Sequence, residues 1–186
     1  KLTTRIFALV IALLWMVPLF AQDPSADPRN AKPTWESYSR SPKASRLGFD
    51  LRMIAAKEHP APAPAEFAQL IAQGLSDGAP DSQQGALSAI ASYSGVLHPP
   101  TPASFAMWQT YRDVMVGFRK QVEGLLLDQD QNTRHAALVA FGALNTRPGE
   151  NAWVMDFDEA AMQTWSEVFH RDPSAIMRSE VVKLAW

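Results

Sequence analysis

The groups able to do chemistry are few: four histidines, no cysteine, and acids and arginines gathered at a handful of positions. His59, His98, His135 and His170 are never three or four residues apart, so no helix can offer two imidazoles to one metal ion. His59 and His98 precede prolines, while His135 and His170 fall on or at predicted helix ends; surface or capping roles are expected for all four. Asp128-x-Asp130-x-Asn132 opens like a calcium loop. That loop needs Gly at its sixth position and an acid at its twelfth, where this chain has Thr133 and Val139. A turn followed by a helix cap is the expectation there. Asp156, Asp158 and Glu159 stand where a helix dipole favours acids, and are expected in that role rather than as a carboxylate pair for acid–base work. Ser92-Tyr93-Ser94-Gly95 lacks the leading glycine of a nucleophile elbow, and the 9 glycines form no phosphate-cradling loop. Without cysteine there is no disulfide, thiol nucleophile or thiolate metal site. The residues therefore predict a segment with no catalytic, metal or cofactor-binding residue: a non-enzymatic chain without cofactor.

Charge narrows the partners. Seventeen Lys and Arg stand against 19 Asp and Glu, and the nearest approach to a basic cluster is Arg119-Lys120, so nucleic acid is not an expected partner. The 186 residues are 47% apolar, enough for a single core of ordinary size.

Residues 1–21 read as an address. Lys1 and Arg5 precede an apolar run from Ile6 to Phe20, Ala21 closes it, and polar sequence follows from Gln22. This is the pattern of a secretory signal peptide, with cleavage expected after Ala21. The alternative is a retained anchor, although a run of 15 residues containing Pro18 falls short of the roughly 20 that span a bilayer. Membrane contact is expected only through that segment if it stays uncleaved. Loss of Lys1 and Arg5 would leave a net charge of −4. The predicted location is periplasmic or secreted, with a bacterial source the better fit for an exported chain lacking cysteine. Residues 22–44, with Pro24, Pro28, Pro33 and Pro42 among polar residues, read as a flexible linker in which Trp35 and Tyr38 are the large apolar groups.

From Ser45 onward the apolar residues recur at spacings of three and four, the helical period. Leu47, Leu51 and Ile54 mark a first stripe, and Phe67, Leu70, Ile71 and Leu75 a second. Leu87, Ile90 and Tyr93 mark a third. The longest runs from Phe105 through Trp108, Tyr111, Met115, Phe118 and Val122 to Leu126, behind a Thr101-Pro102 start. Thr133, Ala137, Ala140, Phe141 and Leu144 make a fifth. Phe157, Ala161, Trp165 and Val168 make a sixth, and Met177, Val181 and Leu184 a seventh, capped by Asp172-Pro173-Ser174. Trp153-Val154-Met155 is the one short strand candidate. The fold class is all-α, and Trp108, Tyr111 and Trp165 are expected in its core.

The loops repeat. Residues 70–91, 122–144 and 165–186 each carry an apolar helix end, an Asp-containing turn and a second amphipathic helix. Leu87 and Ile90 answer to Leu138 and Phe141 at an offset of 51, and Arg134 to Arg178 at an offset of 44. The middle unit, Asp130-x-x-x-Arg134-x-Ala136-Ala137-x-x-Ala140-Phe141-Gly142-x-Leu144, resembles the second helix of a HEAT-type repeat. In that family the Arg braces the turn Asp of its own or the next unit. The last unit separates Asp172 and Arg178 by six, and the first has Gln83 where the Arg is expected. The resemblance implies an α-solenoid, a right-handed stack of antiparallel helix pairs over 45–186. Small residues (Ala136, Ala137, Ala140, Gly142) would allow close approach, and Trp108, Phe118, Trp165 and Phe169 would fill the groove between helices. The implied function is a non-catalytic exported scaffold that binds another protein or a peptide. Two alternatives stand beside it: a helical accessory part of a larger exported enzyme whose chemistry lies beyond residue 186, and a small helical bundle that binds a ligand.

Overall fold

A computed structural model describes residues 32–94, 102–148 and 153–185. The expectations for residues 1–31, for His98 and for the Thr101 cap lie outside the described residues. The elements are α1 (Trp35–Tyr38), α2 (Arg46–Ala55), α3 (Pro64–Ser76), α4 (Pro80–Ser94), α5 (Pro102–Val116), α6 (Arg119–Leu125), α7 (Gln131–Leu144), β1 (Thr146–Pro148), β2 (Trp153–Met155), α8 (Glu159–Arg171) and α9 (Ala175–Ala185). All belong to one compact unit, Trp35–Trp186. The chain is all-α apart from the three-residue antiparallel ribbon in which Thr146 pairs with Met155 and Pro148 with Trp153.

Helix starts follow from side-chain oxygens that take otherwise orphan backbone amides. Ser45 accepts from the Gly48 amide, Asp130 from Thr133 at 2.9 Å, and Asp158 from Ala161 at 2.7 Å. Before α9 the work is divided: Asp172 accepts from the Ser174 amide at 2.7 Å, and the Ser174 hydroxyl accepts from Met177. The apolar stripes then meet in one core that includes Leu51, Phe67, Ile71, Leu87, Ile90, Met115, Val122, Leu138, Phe141, Trp165, Val168, Met177 and Val181.

Three expectations change. The long stripe from Phe105 to Leu126 is two helices. The turn bonds Gly117 N–H to Val114 O and Phe118 N–H to Met115 O tighten the chain at a glycine, the poorest helix former after proline. Met115 and Val122, on either side of the break, are both buried. Residues 35–44, assigned by composition to the linker, pack on the domain: the Trp35 and Tyr38 rings lie 5.7 and 5.2 Å from that of Phe49. Phe169 does not fill an interhelical groove but stays 37% exposed; Trp165 does enter the core, its indole N–H donating to Val181 O at 3.1 Å.

Helices α2, α4 and α7 lie side by side and point the same way. Gly48 abuts Asp81 and Gly85 at one end of the first pair, and the Ser92 hydroxyl donates to Ala55 O at the other. Gln84 meets Asp130 at the start of the second pair, and at its far end Arg112 bridges Ser94 O and Ala143 O. The α2–α4 approach is set by two glycines: a Cβ on Gly85 would sit 2.6 Å from Gly48 O, and one on Gly48 would sit 2.6 Å from Asp81 O. Gly85→Ala is therefore expected to destabilise by about 1–3 kcal/mol through overpacking against backbone. Gly124→Ala, where a Cβ meets nothing within 4 Å, should stabilise by about 0.5–1 kcal/mol. Urea titration of the two variants checks the contrast; equal midpoints would contradict the close-approach account.

Candidate functional site

The parallel helices are joined by side chains that cross from each helix to an aspartate at the start of the next. Arg52 on α2 donates through Nη2 to Asp81 Oδ1 at 2.9 Å and to Gln84 Oε1 at 3.1 Å. Gln84 on α4 passes its own amide protons to Asp130 Oδ1 at 3.0 Å and Thr133 Oγ1 at 3.3 Å. Arg134 on α7 reaches Asp172 with Nε at 2.8 Å and Nη2 at 3.4 Å, while Nη1 donates to the carbonyls of Asp128 and Gln129. The Arg expected to brace a turn aspartate does so, on the aspartate that precedes α9. The residue that reaches across from α4 is Gln84 and not the adjacent Gln83, which turns back to Leu75 O. Arg178 bonds the backbone oxygen of Asp172 rather than its carboxylate.

Each aspartate is fully engaged. Asp81 also accepts from the Ser45 amide at 2.7 Å and from the Tyr38 hydroxyl. That second contact, together with burial, which is the larger cause, raises the tyrosine's pKa above its ordinary value. Asp172 is wholly buried, and Arg134 beside it is 8% exposed. The Asp130 carboxyl is held below its ordinary 3.8, first by the Thr133 amide and, more weakly, by the Thr133 hydroxyl and by Lys43 Nζ at 3.9 Å.

Beside these links, between α4 and α7, lies a groove of about 400 Å³. Gln84, Ser88 and Ala91 line it from α4, Asn132, His135, Ala136 and Val139 from α7, and Arg52 from α2. These positions recur at i, i+4, i+7 and i, i+3, i+4, i+7, so each set occupies one helix face. The Ser88 hydroxyl is spent on Gln84 O at 2.7 Å, and the floor is made by small side chains. Arg52 Nε is buried and meets no acceptor.

Sequence inspection singled out none of Arg52, Gln84 or Ser88. The available signal was a second, small-and-polar stripe running beside the apolar stripes of Leu87–Ile90 and Leu138–Phe141. Of the residues weighed for chemistry, His135 and Asn132 are brought to the groove and are exposed. His59 and His170 are exposed elsewhere; the Ser92 hydroxyl is bound to Ala55 O; Asp128 takes the Asp130 amide. Among the described residues, no group of three His, Asp or Glu could hold a metal ion, and no helix is long and apolar enough to cross a membrane. The chain matches no protein-family model, no curated protein and no solved structure.

Two outcomes follow from the links. Arg134→Met leaves the buried Asp172 carboxylate without its cation and should cost about 3–5 kcal/mol; Arg134→Met with Asp172→Asn should recover part of that. Calorimetry of these two and of Asp172→Asn alone is the check, and additive losses of the single variants in the double would contradict a direct interaction. Asp130 has a depressed folded pKa, so its stabilisation is complete above the unfolded value near 4 and is lost as pH falls through the folded one. Asp130→Ala should therefore cost about 1 kcal/mol at pH 7 and much less at pH 2, read from denaturant midpoints at the two pH values.

Proposed function

We propose that this chain is an exported, non-catalytic helical scaffold of HEAT-like build that holds a partner polypeptide against the face of α4 and α7. The observation that carries the reading is the recurrence of one link: Arg52 to Asp81, Gln84 to Asp130, Arg134 to Asp172. In each, a polar side chain on one helix of a parallel row fixes an aspartate at or just before the start of the next. A device used three times in succession is what stacked units require, since a single helix pair cannot bury its own face and depends on its neighbour for register. Beside that row lies the groove, its walls given by α4 and α7.

Export is the reading that the first 21 residues support: two cations, an apolar run and a small residue before polar sequence. The absence of cysteine agrees with a domain that relies on packing and on its inter-helix links in an oxidising compartment.

Photo-cross-linking in the native host tests both parts. With p-benzoylphenylalanine at Val139, on the groove rim, a discrete adduct with another polypeptide is expected in the periplasmic or secreted fraction. At Met107, a more exposed apolar residue on α5, none is expected. Equal adducts from both positions would remove the groove from the reading. A cytoplasmic adduct would remove export.

A further inference from the structure

Outside the groove, Lys57 combines a strained backbone with an amine seated on an aromatic ring. The helix α2 ends in a turn where Lys57 N–H bonds Ile54 O at 3.0 Å and Glu58 N–H bonds Met53 O at 2.9 Å. That pattern calls for a left-handed residue just past the helix, where glycine is usual. Lys57, the non-glycine residue with positive φ among those described, takes the place at φ 63°. The turn fixes the base of its side chain, and its Nζ lies 3.0 Å from the centroid of the Tyr93 ring on α4. Tyr93 in turn packs against Phe67 at 5.0 Å and against Tyr111 of α5 at 5.3 Å. Among the described residues no carboxylate pairs with this amine and no acceptor bonds it, and the residue as a whole is exposed.

We propose that Lys57 is a covalent site for aldehydes, its amine condensing with the carbonyl to an imine whose positive charge rests on the face of the Tyr93 ring. The nitrogen lone pair forms the C–N bond as the carbonyl π pair moves to oxygen. A proton passes from nitrogen to that oxygen, which leaves as water when the lone pair closes the C=N bond; one solvent proton then gives the iminium. No oxidant or further reactant enters. The ring favours this reaction over acyl transfer. Its face is negative, so it supports the cation that the imine keeps and opposes the oxyanion that an acyl intermediate requires. Free amine is at hand near neutrality: burial lowers the Lys57 pKa to about 8, so at pH 7 about a tenth is unprotonated. Burial raises the Tyr93 pKa, so that phenol stays neutral while the amine titrates. The Tyr111 hydroxyl is spent on Pro62 O at 2.8 Å, and Glu58 and His59, next in the chain, are not bonded to the amine.

The probe is acetaldehyde with sodium cyanoborohydride, applied to the purified chain at pH 7, with the N-ethyl groups located by mass spectrometry of its peptides. Ethylation at Lys57 is expected to run about tenfold or more faster than at Lys43 and Lys120, two exposed lysines of the same chain. Equal rates at the three overturn the proposal. The acyl donor S-acetyl-N-acetylcysteamine should show a smaller preference for Lys57; an equal preference overturns the aldehyde site in favour of an amine reactive toward any electrophile. Tyr93→Phe keeps the ring and should keep the preference, whereas Tyr93→Leu should remove most of it. A preference undiminished in Tyr93→Leu overturns the part given to the ring. Should that variant fail to fold, loss of the preference in Tyr93→Phe overturns it instead, since the ring face is still there.

Discussion

Parallel neighbouring helices set like dipole ends beside one another, and the structure is organised around that cost. At the starts of α4, α7 and α9, partial positive charge would accumulate; there the chain places Asp81, Asp130 and Asp172. At the far ends of α4 and α7 partial negative charge accumulates, and one arginine meets it. Arg112 donates to Ser94 O at 2.8 Å, to Ala143 O and Leu144 O, and to Thr146 O. Burial lowers the pKa of this guanidinium, so the carbonyls that receive its protons replace the water it gives up. The rows are thus tied at both ends by groups whose charges oppose the dipoles. Between the ends, only apolar contact and close glycine approach are needed.

This division explains what could be read from the sequence. The core stripes were legible because each helix repeats its apolar residues at its own period: Leu87 with Ile90, Leu138 with Phe141, Met177 with Val181. The brace from Arg134 was legible only as a type, an arginine set just after a turn aspartate; its partner Asp172 lies 38 residues further on. The break at Gly117 was not, since Met115, Phe118 and Val122 keep helical spacing across it and only the backbone turn records the change. The docking of Trp35 and Tyr38 was hidden for a different reason. Their partners Phe49 and Asp81 lie 14 and 43 residues away, and prolines on either side give the stretch the composition of a linker. The groove was hidden because small residues on a helix face look like surface until a parallel neighbour presents a matching face.

The departure at Gln84 is where this reasoning goes furthest. An arginine there would follow the pattern of Arg52 and Arg134, yet an arginine has five donors and no acceptor. Arg52 Nη2 sits 3.1 Å from Gln84 Oε1, so a second guanidinium in that place would set two cations together and strip Arg52 of an acceptor. Glutamine accepts from Arg52 with one end of its amide and donates to Asp130 with the other. It carries the link onward without adding charge. Arg134, by contrast, meets a wholly buried carboxylate that pairs with no other cation among the described residues, and needs its full charge. The neutral middle link also adds no second fixed charge to a groove that Arg52 already lines, so the requirement that joins α2 to α4 and α7 and the character of the surface they present have the same origin.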